Sequence, residues 1–217
     1  MADAEKAYLP AAGHDWALPL YDPFVKLAGG EPTRLALIEQ AAIRPRHRIL
    51  EIGCGTGSVL VLLKRKHPDA EVVGLDPDPK ALTRAKRKAE RASVSVALDL
   101  GFSGDMHYPD RSFDRVLSSF MFHHLDKVEK ERTLGEVRRV LKPGGVFHMV
   151  DFAGRDARSG GFLARMLHAH HRLADNDEDR ILTLMRQAGF VDVRKVREGA
   201  IFFGHMPLKY YQASVPE

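Results

Sequence analysis

Cysteine is almost absent from this 217-residue sequence, which contains only Cys54. A single cysteine cannot form a disulfide within the chain, and it excludes metal sites and thiol relays that need several cysteines. Long apolar runs are also missing, because none approaches the roughly 20 residues of a membrane-spanning helix. The start of the chain, with Asp3 and Glu5, does not have the character of a signal peptide. We therefore expect a soluble, cytoplasmic protein.

No strong excess of one charge is present either, since 33 basic and 29 acidic residues leave a net charge of +4. The apolar fraction of 44% and the charged fraction of 29% are those of an ordinary globular protein. One basic cluster stands out, and its default interpretation is a solvated helix face, with RNA or an anionic membrane as the alternative. The cluster comprises Arg84, Lys86, Arg87, Lys88 and Arg91.

Strand-like and helix-like segments alternate from about residue 33 to residue 198, with no repeat or flexible linker between them. Such alternation predicts an α/β fold in which helices cover both faces of a mostly parallel, doubly wound sheet. A first strand at Arg48–Ile52 leads through glycines into a helix at Ser58–Lys66. Two segments near the end, from Val191 to Val196 and from Ala200 to Tyr211, predict an antiparallel hairpin at the sheet edge.

The glycines after the first strand have the spacing Gly-x-Gly-x-Gly, at Gly53, Gly55 and Gly57. Glycines here let the backbone approach a ligand closely and turn amide groups and a helix N-terminus toward an anion. A second strand ends at Asp76, 19 residues after Gly57, where a carboxylate can accept both hydroxyls of a ribose. Together, the loop, the strands and the acid predict an adenosine-type cofactor.

With these motifs the sequence resembles the class I S-adenosylmethionine-dependent methyltransferases, and especially the subgroup of ubiquinone and menaquinone biosynthesis. The resemblance covers about residues 33–212 and implies a Rossmann-like sheet of seven strands, six parallel and the last antiparallel. The matching segments are Ile49 to Gly57, Val73 to Asp76, Asp110 to Val116, Phe122 to Leu125, Val140 to Gly145 and Ala188 to Phe190.

The resemblance also implies the residues that hold S-adenosylmethionine and its product S-adenosylhomocysteine. The glycine loop passes beneath the methionine portion, Glu51 organises the loop and the ammonium group, and Asp76 holds the ribose. Ser119 is expected to face the methionine end. The full predicted set is Glu51, Gly53, Cys54, Gly55, Gly57, Asp76, Pro77, Phe102, Ser103 and Ser119.

One departure from the family pattern concerns the adenine. Family members usually carry an acid ten residues before the Ser of Ser-Phe-Asp, but counting back from Ser112 gives Phe102. Either backbone atoms and stacking by Phe102 replace that acid, or Asp99 or Asp105 does, and the spacing favours Phe102.

Candidate catalytic residues are His123, His124 and Tyr21. The two histidines follow the fourth strand, at the carboxyl edge where open α/β sheets bind ligands. They are either structural, packing and capping the next helix, or close to the acceptor. We expect residues 1–32 to form a lid over the domain of residues 33–217, with a helix inserted at about 160–175. No metal is predicted, because of His168, His170 and His171 only two share a helix face.

The predicted function is methyl transfer from S-adenosylmethionine to a small organic acceptor, at oxygen, nitrogen or carbon, by in-line displacement. RNA or protein methylation is the alternative that would use the basic cluster, although nucleic acid is disfavoured because no Asn-Pro-Pro-Tyr-like motif follows the fourth strand. A non-catalytic cofactor-binding module is the alternative from another class. We expect a monomer or a homodimer.

Overall fold

The computed structural model describes residues 30–154, 178–202 and 204–217. In these ranges helices and strands alternate along the chain, as the sequence predicts. The elements are α1 (Gly30–Gln40), β1 (Arg48–Ile52), α2 (Ser58–Lys66), β2 (Glu71–Asp76), α3 (Pro79–Arg91), β3 (Ala97–Leu100), β4 (Phe113–Ser119), a 3₁₀ turn (Phe122–His124), α4 (Lys127–Val140), β5 (Leu141–Phe152), α5 (Glu178–Gln187), β6 (Val191–Ile201) and β7 (Met206–Ser214).

The seven strands form one sheet in the order β3-β2-β1-β4-β5-β7-β6. Neighbours from β3 to β5 are parallel, whereas β7 is antiparallel to both β5 and β6. Six strands therefore point one way and β7 the other, which confirms the predicted Rossmann-like fold. The strand order reverses between β1 and β4, and in such sheets ligands bind outside the carboxyl ends of the strands at this point.

Apolar side chains cover both faces of the sheet, as expected for strands buried on two sides. Successive residues of β1 point to opposite faces of the sheet, as in any strand. Ile49 packs with residues of α1 and α2, such as Ile38 and Leu60. Leu50 belongs to the cluster on the other face, which includes Leu134 of α4. The helices on both faces thus fix the position of β1 and of the loop that follows it.

Some strand boundaries differ from those that the sequence indicates. The apolar spacing from Val94 to Leu100 predicts a third strand that begins at Val94, but the Val94 amide donates to the Ala89 carbonyl at 3.1 Å and closes α3, so β3 begins at Ala97. In the final hairpin, Ala200 does not begin the last strand, because it belongs to β6 and pairs with Pro207. The hairpin itself, with β6 at the sheet edge, is confirmed.

Two predicted segments lie outside the described residues. Almost all of the expected lid of residues 1–32, including Tyr21, and the inserted helix at about 160–175 with its three histidines belong to the ranges that are not described. Both expectations therefore stay predictions. In the described ranges, no helix combines the length and the apolar composition required to cross a bilayer.

Candidate cofactor and acceptor site

The glycine loop connects β1 to α2 at the carboxyl edge of the sheet. Gly53 and Gly55 have φ angles of 64° and 52°, a left-handed conformation that favours glycine. A Cβ atom at Gly53 would lie 2.2 Å from Cγ of Met121, whereas at Gly55 it would meet nothing within 4 Å. Gly53 is therefore required by the packing of Met121, and Gly55 leaves open space above the loop.

Asp76, the last residue of β2, holds this loop in place. Its Oδ2 accepts a hydrogen bond from the Gly55 amide at 2.8 Å, and its Oδ1 accepts one from the Asp78 amide at 2.9 Å. Burial raises the pKa of the Asp76 carboxyl, while these two backbone donors act to lower it. The side chain thus has a structural function in addition to the ribose contact predicted from the sequence, which stays a prediction.

Glu51 of β1 lies immediately before the loop and is 2% exposed. Its Oε2 atom is buried and has no hydrogen-bond partner. Burial raises the Glu51 pKa well above its ordinary value of 4.5, and the nearby positive charges of Arg34 and Lys88 only partly oppose this effect. Because a buried carboxylate without a partner is costly, the position fits a cationic ligand group that would supply one.

A second buried acceptor lies on the neighbouring strand. Glu51 pairs in register with Leu117 of β4, and Ser119 is two residues further along, so both side chains are on the same face of the sheet. The Ser119 Oγ atom is buried and likewise has no hydrogen-bond partner. Two orphaned oxygen atoms thus lie on one face at the switch point, where the sequence predicts the methionine end of the cofactor.

The predicted adenine side is formed by the segment after β3. Phe102 is half-buried, and its carbonyl accepts from the Asp105 amide at 3.1 Å in a tight turn. The Ser103 hydroxyl lies 2.9 Å from that of Thr133 in α4, which anchors the turn. Asp99 accepts from the Tyr108 hydroxyl at 2.8 Å. The adenine contact of Phe102 therefore stays a prediction, with Asp99 and Asp105 as its alternatives.

The carboxyl end of β3 carries an apolar residue that the sequence interpretation missed. Leu100 is 61% exposed and pairs in register with Asp76. Pro77, which follows Asp76, is half-buried. An exposed leucine next to the predicted ribose acid offers an apolar surface for a flat ring. Leu100 could have been identified from the sequence, because it is the last residue of a predicted strand and precedes the site.

The two histidines after β4 have different environments. His123 is 2% exposed, and its Nδ1 lies 2.7 Å from Oδ1 of Asp151, the penultimate residue of β5. The second oxygen of Asp151 accepts from the His123 backbone amide at 2.9 Å. His124 is half-buried, with its ring 4.0 Å from the His123 ring. Asp151 was not identified from the sequence, although an acid at the carboxyl end of a strand was a usable signal.

The Asp151 carboxylate is fully buried, yet it stays ionised. Burial acts to raise its pKa, but the His123 ring and the amides of His123 and Phe152 hold that pKa below its ordinary value. An anion fixed beside Nδ1 favours the tautomer with hydrogen on that nitrogen. The other ring nitrogen then has the lone pair that a proton acceptor needs.

Lys88, a member of the basic cluster, is half-buried, in contrast to the solvated position that the sequence predicts. The Lys88 ammonium group donates to the hydroxyl of Thr56 at 3.0 Å and to that of Ser58 at 2.8 Å. Both hydroxyls belong to the glycine loop and the start of α2, so Lys88 ties α3 to the loop. Lys86 and Arg87 are exposed, in agreement with a solvated helix face.

Cys54 contributes its backbone to the loop. Its amide donates to the Leu75 carbonyl at 3.1 Å, and its carbonyl accepts from the Gly57 amide at 2.9 Å. The thiol is buried, and burial raises its pKa, so it is a poor nucleophile. No group of three or more His, Cys, Asp and Glu side chains that could hold a metal ion occurs in the part of the chain that the structure describes.

The switch-point location, the open glycine loop and the unpartnered Oε2 atom of Glu51 fit the adenosine-type cofactor that the sequence predicts, with a cationic group beside Glu51. Comparison with known families specifies the class. A family model described as a methyltransferase domain matches residues 49–145. The demethylmenaquinone methyltransferase of Deinococcus radiodurans is 30% identical over 192 residues, which cover 79% of this chain and 77% of the relative. The chain belongs to the class I S-adenosylmethionine-dependent methyltransferases.

Other relatives are similar over a smaller share of their length. The demethylmenaquinone methyltransferase of Thermus thermophilus is 36% identical over 133 residues, 61% of this chain and 60% of that protein. The sterol 24-C-methyltransferase of Aspergillus fumigatus is 32% identical over 219 residues, 92% of this chain and 53% of that protein. The chain thus spans between about half and three-fifths of the length of these two relatives.

Solved structures share the fold at low sequence identity. Phosphoethanolamine N-methyltransferase 2 of Haemonchus contortus, in complex with S-adenosylmethionine, has a TM-score of 0.78 at 15% identity, with 95% of this chain and 58% of that chain covered. A protein described as the [4+2]-cyclase SpnF has a TM-score of 0.70 at 17% identity, with 85% and 80% covered. The fold alone therefore does not determine the reaction.

Proposed function

We propose that this protein transfers the methyl group of S-adenosylmethionine to a small organic acceptor, at oxygen, nitrogen or carbon. The observation that carries the proposal is Glu51, a buried carboxylate with an unpartnered oxygen under an open glycine loop. Glu51 would hold the ammonium group, the Gly53–Gly57 backbone the methionine portion and Asp76 the ribose. When bound, the cofactor supplies an electrophilic methyl group on a sulfonium.

His123 is the proposed proton acceptor for an acceptor molecule that must lose a proton. Support comes from its position after β4, at the carboxyl edge, and from the 2.7 Å contact of its Nδ1 with Asp151. Asp151 fixes the tautomer and stabilises the imidazolium that forms, as in other His–Asp pairs. A positioned base of this kind contributes typically 10²- to 10⁴-fold in rate. His124 and Tyr21 remain further candidates for contact with the acceptor.

Relatives named for quinone, sterol and phosphoethanolamine methylation support a small acceptor without selecting one. The experiment is therefore a panel of phenols, amines and carbon acids, incubated with S-adenosylmethionine and scored by chromatography for both S-adenosylhomocysteine and the methylated product. We expect turnover with at least one acceptor. Calorimetric preference for NAD over S-adenosylmethionine would contradict the proposal.

His123→Ala and His124→Ala form a matched pair for the catalytic assignment. We expect His123→Ala to lose turnover and to retain its affinity for the cofactor. His124→Ala should keep most of the wild-type turnover. Because the buried Asp151 would then lack its partner, the melting temperature must be measured in parallel. Loss of stability with unchanged turnover per folded molecule would make His123 structural. Asp151→Asn should shift the pH dependence of turnover, which a purely structural carboxylate would not do.

A second candidate function follows from the exposed basic residues of α3. Lys86, Arg87 and Arg91 are exposed on one helix and could contact RNA or an acidic protein. Methylation of total RNA or of a protein extract, lost in a Lys86→Glu/Arg87→Glu variant, would favour this function.

A third possibility is cofactor binding without methyl transfer, which is favoured by the cyclase of the same fold. Unchanged S-adenosylmethionine after incubation with the whole panel would support it.

A further inference from the structure

The C-terminal end of α1 is bound to the sheet through a buried histidine. His148 of β5 is 2% exposed. Gln40, the last residue of α1, contacts both this ring and the backbone of β7. Its Nε2 atom lies 3.2 Å from Nδ1 of His148 and 2.9 Å from the Tyr211 carbonyl oxygen.

These two contacts determine the protonation of the His148 ring. A carbonyl oxygen only accepts, so the Gln40 atom beside Tyr211 is the amide nitrogen, which donates. The same nitrogen donates to Nδ1 of His148, which therefore carries a lone pair, and the hydrogen of the neutral ring is on Nε2. A doubly protonated ring would place a second donor at Nδ1, opposite the amide. The hydrogen bond between α1 and β5 thus exists only while Nδ1 is unprotonated.

The surroundings of His148 also disfavour a positive charge. Register pairing places three charged side chains of the neighbouring strands on the His148 face of the sheet: Arg115 of β4, and Arg194 and Arg197 of β6. Tyr210 of β7, also on this face, donates its hydroxyl to the Thr33 carbonyl. The acid at the end of α1, Glu39, binds the Lys66 ammonium group at 2.8 Å. Burial, followed by the charges of two of these arginines, lowers the pKa of His148 to about 3.

We propose that His148 is an acid-sensitive latch, which holds the end of α1 on the sheet while it is neutral and releases that end when it is protonated. A ring exposed by release regains its ordinary pKa of 6.5. The stability of the docked end is therefore complete above pH 6.5 and is lost progressively as the pH falls toward 3. Release also removes support from the candidate site, because Ile38 and Ala41 pack with Ile49 and Cys54.

Hydrogen exchange of the full chain without ligand, measured between pH 7 and pH 4, tests the latch. After correction for the intrinsic exchange rate, we expect the protection factors of the amides at positions 37–41 to fall by up to about tenfold for each pH unit below 6.5. His148→Asn keeps an acceptor for Gln40 and cannot take up a proton, so this fall should disappear. His205→Asn, at an exposed position, is the matched control and should behave as the wild type.

A second variant, Gln40→Glu, reverses the chemistry of the partner. Its carboxylate can accept from a protonated ring, so acid should no longer release the end of α1. An equal fall of protection in β1 and β4 would show that the proton acts on the whole fold and would overturn the local latch. Constant protection in the wild type, or an unchanged fall in His148→Asn, would overturn the assignment of His148. If His148→Asn does not fold, acid release that persists in Gln40→Glu contradicts the proposal.

Discussion

Replacing Glu51 with glutamine should make the empty protein more stable and at the same time weaken cofactor binding. The substitution keeps the shape of the side chain and removes its ability to ionise. In the folded protein, burial favours the protonated form of Glu51, whereas in the unfolded chain the group titrates near 4.5. The two effects have opposite signs because the carboxylate is unfavourable without a ligand and needed with one.

The pH dependence follows from proton linkage. Since the folded-state pKa of Glu51 is raised, the folded protein binds more protons than the unfolded chain above about pH 4.5, and its stability falls as pH rises toward the folded-state pKa. The fall is at most about 1.4 kcal/mol for each pH unit. Glu51→Gln abolishes this loss, so its advantage over wild type should be small at pH 4.5 and grow toward neutral pH. Loss of a charge-assisted bond to the ammonium group should cost about 1.5–3 kcal/mol of binding free energy.

Urea unfolding of both proteins between pH 4.5 and pH 8, without ligand, measures the first effect. Calorimetric titration with S-adenosylhomocysteine measures the second, and the expected decrease in affinity is about 10- to 150-fold. Asp76→Asn is a useful comparison, because both Asp76 oxygens accept backbone hydrogen bonds and an amide nitrogen cannot accept one, so this variant should gain no stability. A Glu51→Gln protein that is less stable than wild type at pH 8 and binds the ligand normally would refute the reasoning.

Four further predictions concern the glycine loop, its contact with Lys88 and the segment after β3. Gly53→Ala should destabilise the protein more than Gly55→Ala, because both have positive φ but only the first collides with a neighbour, and urea unfolding will show whether the two differ. Gly55→Ala should weaken S-adenosylhomocysteine binding while costing only about 1–2 kcal/mol of stability, and equal binding by both variants would contradict this. Lys88→Met should lower cofactor affinity while Lys86→Met does not, as measured by calorimetry. Arg139→Ala should lower the free energy of unfolding, because its guanidinium donates to the carbonyls of Met106 and Tyr108, and an unchanged urea midpoint would argue against that function.

The fold was predictable because its signals are local and mutually consistent. The strand at Arg48–Ile52 and the helix at Ser58–Lys66 have the predicted bounds, since a glycine loop separates an apolar strand from a helix with clear apolar spacing. The hairpin boundary at Ala200 was wrong, because β pairing continues past Gly199 and depends on contacts across strands that sequence spacing does not encode. Long-range pairing, and not local preference, decides where such strands end.

Residues of the candidate site were predictable only where a local motif fixes both the position of a residue and its chemical type. The positions of Glu51 and Asp76 at the carboxyl edge follow from the motif, but Asp151 comes from a distant part of the chain and is recognisable only when the fold places it beside His123. Asp151 meets His123 across 28 residues, through neighbouring elements β5 and the turn after β4. The contacts of Lys88 differ from the predicted solvated face, because a lysine in a run of basic residues gives no indication of the hydroxyls that its ammonium group contacts.

The contrast between two acids on neighbouring strands argues that the carboxyl edge is built for a ligand. Asp114, at the amino end of β4, accepts from the Lys142 ammonium group and from the Arg48 amide, each at 2.8 Å. Although burial acts to raise its pKa, these partners hold that pKa below its ordinary value. Glu51, near the carboxyl end of β1, is deeper and has an unpartnered oxygen, and its pKa is raised. The same sheet thus satisfies an acid where only stability is at stake and leaves one unsatisfied beside an open loop, which is the arrangement expected when the missing partner arrives with the cofactor.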